Sequence, residues 1–313
     1  MHNISNPIFK ELLKLKLVKK KNITKISTIV RDHKDKKIKV FKDRKSQIIF
    51  LEKSLITQDH YAVFKNKENE KMYSGIDEIK VNRKIFKTKS LDGKKGLIGE
   101  SDKRRFLMFK KYLLKKEVLD FGCSWGNFLN LIKNYSKNCS GLELRKACRN
   151  FIEKNYEHID IKDNLIKFNK NFDVITLFHV LEHIPNQVQT LKEIRKKIKR
   201  KGKIIIEVPS ALDYLIFLDL PEFKKFIFWS EHLILHTEES LKKILKASGF
   251  KNIRVHYFQQ YGYANHLGWL LLKKPGGHEY FKKYVDKKFD QNYRNYLIRR
   301  KQTDTLIAIA EKK

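Results

Sequence analysis

From Val118 onward the chain alternates short apolar runs, rich in β-branched residues, with stretches whose apolar residues recur at helical spacing. The runs VLDF (118–121), CSGLEL (139–144), HIDI (158–161), FDVITLF (172–178) and KIIIEVP (203–209) predict strands. Between them, WGNFLNLIKNYSK (125–137), RKACRNFIEKN (145–155) and QVQTLKEIRKKIKR (187–200) predict helices. Such alternation marks a parallel sheet with helices on both faces. A further helix, TEESLKKILKASG (237–249), opens on a capping threonine and closes on a glycine. Two last strands, NIRVHYFQQ (252–260) and TLIAIAE (305–311), complete a seven-stranded, mostly parallel α/β sheet.

Outside this pattern two regions stand apart. Residues 209–236 are aromatic and only partly periodic, with the size and character of an active-site lid. Residues 1–96 carry strand-like runs such as KSQIIFLE (45–52) without a sustained period, and are expected to form a small accessory region ahead of the main domain, 97–313.

Composition narrows the setting. An apolar content of 41% over 313 residues supports a sizeable core. No stretch approaches the roughly 18 uncharged apolar residues of a membrane helix, and the N-terminus lacks the order of a secretory signal, so a cytoplasmic protein is expected. Cys123, Cys139 and Cys148 fall in no CxxC pair, which excludes a disulfide framework or a zinc knuckle built from them alone. The net charge of +34 attracts polyanions, and residues 1–116 hold 33 basic against 13 acidic residues, so the excess leans toward the N-terminal third. Lysines nonetheless recur along the whole chain. That favours solvated faces over a nucleic-acid patch, and an anionic small substrate or an acidic membrane surface would exploit the same field.

The most informative stretch is VLDFGCSWG (118–126), an apolar strand, an acid and then glycines at a strand-to-helix turn. Glycine there lets the backbone approach a ligand closely. The dinucleotide fingerprint fails, because Ser124 and Asn127 stand where it requires glycines. The stretch instead resembles motif I of the class I S-adenosylmethionine (SAM)-dependent methyltransferases, D-x-G-x-G-x-G, through Asp120, Gly122 and Gly126, with Ser124 replacing the middle glycine. That resemblance implies a Rossmann-like fold and SAM as cofactor. It also implies roles for residues further on: Glu143 on the ribose hydroxyls, Asp163 and Asn164 along the adenine edge, and FDVITLFHVLEHI (172–184), with His179, at the strand ending beneath the transferring methyl.

Methyl transfer needs an aligned nucleophile and, for many acceptors, a base. Two clusters offer one. His179, Glu182 and His183 lie in HVLEHIP, which resembles the E-x-x-E-H stretch of quinone-pathway O-methyltransferases with His179 in place of the first carboxylate. Packing beneath the cofactor is an equally open role for these histidines, and no metal is expected. Glu231 and His232 lie in WSEHLILHTEESL (229–241), which resembles the lid of sugar C-methyltransferases, and either chemistry or pinning of the lid would use them. The same family is similar to KVFKDRKSQIIFLEKSLITQDHYAVF (39–64), where Asp43 and Ser46 stand at zinc-binding cysteine positions, implying a metal-free relic.

His232, Glu231 and His183 are therefore the expected catalytic residues. The expected acceptor is a small, anionic molecule, a sugar or sugar nucleotide of surface polysaccharide synthesis, with a quinone or lipid precursor next. RNA binding is a rival suggested by charge alone, and a relative that keeps the fold without turnover is a third reading. The oligomeric state does not follow from the sequence.

Overall fold

The computed structural model describes residues 3–28, 30, 38–54 and 94–313. Among these, strands form a seven-stranded sheet and a four-stranded one.

The chain opens with helix α1 (Pro7–Lys14) and strands β1 (Ile23–Ser27), β2 (Val40–Asp43) and β3 (Ile49–Leu51). Helix α2 (Glu100–Leu113) leads into the alternating unit: β4 (Glu117–Phe121), α3 (Asn127–Ile132), β5 (Asn138–Leu142), α4 (Lys146–Asn155), β6 (Ile159–Lys162), β7 (Phe172–Phe178), α5 (Gln187–Lys196) and β8 (Ile198–Pro209). The lid carries α6 (Tyr214–Phe217), α7 (Pro221–Ile227) and the two-residue β9 (Ile234–Leu235). The chain ends with α8 (Glu238–Ala247), β10 (Phe250–Phe258), the helices α9 (Tyr263–Leu272), α10 (Gly277–Phe281) and α11 (Lys287–Arg299), and β11 (Thr305–Lys312).

The large sheet runs β10-β11-β8-β7-β4-β5-β6, parallel except for β11, which is antiparallel to both neighbours. All seven predicted strands are present. Their central members are apolar on both faces, with Val118, Leu119 and Ile204 to Ile206 fully buried, because helices cover each side. The order reverses direction at β4, and ligands of open α/β sheets bind at the carboxyl ends of strands beside such a switch.

Three features depart from the sequence reading. The helix expected to reach 200 stops at Lys196, and β8 begins at Ile198, paired with Phe172. The segment between β10 and β11 folds into α9 to α11, which the sequence reading did not anticipate. The described part of the accessory region shares its sheet with the lid, in the order β1-β2-β3-β9. Ile8, Phe9 and Leu12 of α1 join the same core as Ile206, Val208 and Leu233, and the buried Asn6 amide donates to the carbonyls of Leu51 (3.0 Å) and Leu233 (2.9 Å).

At Asp43, the carboxylate accepts from the backbone N–H of Lys45 (2.9 Å), Ser46 (2.9 Å) and Lys19 (3.0 Å). Burial acts to raise its pKa, and these donors outweigh that effect and hold it below the usual carboxylate range. One side chain thus fastens two loops together. The rest of that stretch, from residue 55, lies outside the described residues.

Candidate functional site

Strand β4 delivers the motif I loop to the switch point. Gly122, Ser124 and Gly126 all adopt left-handed φ values of +82°, +51° and +73°. A Cβ at Gly122 would sit 2.5 Å from a methyl of Val180, so this turn has no room for a side chain. Ser124 accepts a strain of roughly 1–2 kcal/mol where the family motif has glycine. Its backbone N–H donates to Glu143 Oε2 at 2.8 Å, which ties the turn to the end of β5.

Glu143 is buried and ionised. Burial opposes the charge, but Arg145 and two backbone donors lower its pKa. The Arg145 side chain lies along it, with Nε 3.1 Å from Oε1 and Nη2 3.3 Å from Oε2 and 3.0 Å from Ser124 Oγ. Asp120, below the loop, accepts from Thr176 Oγ1 at 2.6 Å, and burial pushes its pKa up to about 7. Beyond β6, Asp163 pairs with Lys167 at 2.7 Å, while the Asn164 side chain caps the next turn at Ile166 N. The backbone N–H of Glu143 donates to Lys162 O at 3.0 Å, which sets that turn beside the glutamate.

These residues fit SAM. The ionised Glu143 suits a ribose diol, and the exposed Leu144 beside it gives an apolar surface for a base. Arg145 must yield one of its places on Glu143 to such a diol.

The end of β7 carries a second, charged assembly. His179 has a left-handed φ of +55°, with Nδ1 3.3 Å from Glu182 Oε1 and Nε2 3.2 Å from Glu207 Oε1. Burial acts to lower its pKa, and the two carboxylates outweigh it, raising the value to about 9, so the ring is an imidazolium at neutral pH. Glu207, fully buried, also receives Arg104 Nη1 (2.9 Å) and Nη2 (2.8 Å) and Arg105 Nη2 (2.8 Å). The sequence reading missed Arg104, Arg105 and Glu207. A lone acid inside the apolar run KIIIEVP was the available signal, since a buried charge requires partners.

The two clusters that the sequence presented separately meet. His183, on the turn after β7, stacks edge-on against His232 with ring centroids 4.9 Å apart, and its Nδ1 lies 3.9 Å from Glu231 Oε2. Trp229 packs against both rings, at 5.6 Å and 5.1 Å. The backbone of Leu233 donates to Glu182 O at 3.0 Å, fixing lid to turn. The Glu182 side chain is fully buried; burial acts to raise its pKa, but the surrounding histidines bring it to about 2. One donor atom each from Glu182, His183 and His232 lies within 4.8 Å of the others, a set that a divalent transition ion could contract upon. His236 has a different environment: it is buried between Gln187 (3.2 Å) and Ser240 (3.0 Å), and burial lowers its pKa to about 4. It holds the lid to α8.

Comparison with known proteins agrees with this architecture. A methyltransferase-domain family model matches residues 99–255, half of the chain. The chain belongs to that family, the class I SAM-dependent methyltransferases, and its cofactor is SAM. Similar curated proteins include an uncharacterized protein of Methanocaldococcus jannaschii, 35% identical over 38% of this chain and 54% of its own length. A tRNA U34 carboxymethyltransferase of Aliarcobacter butzleri is 28% identical over 46% of this chain and 50% of its own. A ubiquinone biosynthesis O-methyltransferase of Aeromonas salmonicida is 22% identical over 30% and 43%. The chain spans about half the length of the curated relatives it matches. Among solved structures, a SAM-dependent methyltransferase from Archaeoglobus fulgidus is 20% identical, covering 77% of this chain and all of its own, with a TM-score of 0.47. Among the described residues, no helix is long and apolar enough to cross a membrane.

Proposed function

We propose that this protein transfers a methyl group from SAM to a hydroxylated small molecule, with His232 as the base, Glu231 orienting it and His183 supporting both. The observation that carries this reading is the convergence of His183, Glu231 and His232 where lid and β7 meet. Asp120, Gly122, Ser124, Gly126 and Glu143 would bind the cofactor, Asp163 and Asn164 would border its base, and His179 would flank its reacting end.

Bound SAM supplies an electrophilic methyl on a sulfonium. The protein's task is then to aim the acceptor and take its proton. His232 is suited to the second task because the lid closes it over the end of β7, while Trp229 and the His183 ring exclude water from one side. His179, held cationic between two carboxylates, cannot accept a proton at neutral pH. It would instead donate a hydrogen bond to an anionic or carbonyl oxygen.

A sugar or sugar nucleotide is the favoured acceptor, on the resemblance of WSEHLILHTEESL (229–241) to the lid of sugar C-methyltransferases. A quinone or lipid precursor is the second reading, on the ubiquinone-type relatives; RNA has the carboxymethyltransferase relative and the charge in its support. The test is transfer of radiolabelled methyl to three panels: nucleotide sugars, dihydroxylated quinone precursors, and unmodified tRNA. Labelling of the sugar panel alone supports the favoured acceptor. Labelling of either other panel alone replaces it, and absence of transfer despite SAM binding argues for a relative without turnover.

A further inference from the structure

The helical segment between β10 and β11 ends in a surface that the methyl-transfer site does not use. Helix α9 closes with three consecutive exposed leucines, Leu270, Leu271 and Leu272, of which Leu271 is 65% exposed. Successive helical residues point about 100° apart, so the three side chains splay around the helix end rather than forming one stripe. Lys273 stops the helix in the left-handed conformation (φ +54°), and Lys274 and Pro275 follow. Helix α10 is drawn in against α9 by a glycine contact, where a Cβ on Gly268 would meet Gly277 Cα at 2.4 Å. Its exposed Tyr280 lies under Lys274, with Nζ 5.1 Å from the ring centre, and Lys283 lies over Tyr284 at 4.7 Å, Tyr284 being 73% exposed. Residues 273–288 contain six lysines against Glu279 and Asp286.

A protein groove buries one stripe of a helix. A helix end whose leucines fan over about 200°, with Trp269 packed inward on the remaining side, is better matched by an apolar medium entered end-on. Tyrosines and lysines immediately behind the leucines are the residue types that settle at headgroup depth, the lysines drawn by anionic lipid. We infer that the end of α9, with α10 and the lysines after it, docks this protein on the surface of an anionic lipid bilayer. The leucines would enter the acyl boundary while the catalytic domain stays outside it, in keeping with the lack of a spanning helix among the described residues. This holds whichever acceptor the site takes.

The test is co-sedimentation of the full chain with vesicles of phosphatidylcholine alone or mixed with phosphatidylglycerol, over a salt series. Binding only to the anionic vesicles is expected, weakened but not abolished by salt. A Leu270→Ser/Leu271→Ser variant, altered only at exposed positions, should bind them about tenfold or more weaker, from the apolar area withheld. Lys273→Glu/Lys274→Glu should lose a similar factor, at roughly 1 kcal/mol per lysine. Unchanged SAM affinity in both variants shows that the fold is kept. Equal binding by the leucine variant and the wild type would overturn the inference, leaving only the general +34 charge at work. A dimer in ultracentrifugation that the leucine variant dissolves would also overturn it, assigning this helix end to a second copy of this chain.

Discussion

The region proposed to hold the cofactor and the region proposed to meet the acceptor are built on different principles. Between Asp120 and Glu143 the parts are consecutive in the sequence, joined by one turn and one neighbouring strand, and held by backbone donors such as Ser124 N. The proposed acceptor region draws on α2, the ends of β7 and β8, residues 209–236 and, through β3 and β9, residues near the N-terminus. Short-range construction makes the first half robust and recognisable. Long-range construction makes the second sensitive to substitutions that touch neither ligand.

The comparison breaks first, and by the largest factor, at the base. His232→Ala should lose roughly 10²–10⁴ in single-turnover methyl transfer while SAM affinity stays within about threefold. Near wild-type rates in a folded variant would remove His232 from the chemistry, and a collapse seen only in His183→Ala would move the base to the turn after β7.

Next is Glu207, the carboxylate that Arg104, Arg105 and His179 share. Glu207→Ala removes the buried carboxylate that all three share, leaving His179 with Glu182 and Arg105 with Asp102, and should destabilise the fold by about 3 kcal/mol, read as a lowered midpoint in urea. A midpoint within experimental error of wild type would show that water already reaches this cluster.

On the cofactor side, Glu143→Ala removes charge-assisted hydrogen bonds and should weaken SAM binding by on the order of 2–4 kcal/mol, measured by titration calorimetry. Unchanged affinity would take Glu143 out of the ribose site. Asp120 gives a pH signature. Its carboxyl keeps a proton to about pH 7 in the folded chain, against an ordinary value of 3.8, so the folded state binds more protons between those limits. Its contribution therefore lowers stability as pH rises through that window. The Asp120→Asn variant should lack this slope and gain on the order of 1–2 kcal/mol relative to wild type at pH 7 compared with pH 5. Parallel stability curves for the two proteins would refute the shift.

The smallest effect is expected at Arg145. Releasing Glu143 from its guanidinium should raise SAM affinity in Arg145→Ala by roughly threefold, about the energy of one modest hydrogen bond. Weaker binding would instead make Arg145 a cofactor contact.

By itself the sequence determined the sheet, because apolar runs of strand length and helical spacing are properties of neighbouring residues. It also determined the turn after β4, since a left-handed turn at the end of a strand leaves glycines as its signature. FDVITLF was legible to the residue, and Thr237 capped α8 where its side chain could reach Ser240 N. The tertiary structure alone decided what lies across those elements. HVLEHIP and WSEH are separated by some fifty residues, and only the path of the lid brings His183 to His232. Glu207 gave a warning in an apolar strand, but nothing local named Arg104 and Arg105 as its partners. Helices α9 to α11 escaped because exposed apolar residues, Leu270 to Leu272, Tyr280, Phe289 and Tyr296, blur the apolar period on which a helix prediction rests. The link from the N-terminal residues to the main body was equally hidden: the strand that β3 pairs with, β9, is two residues long, too short to carry a pattern, and is a strand only because β3 lies beside it.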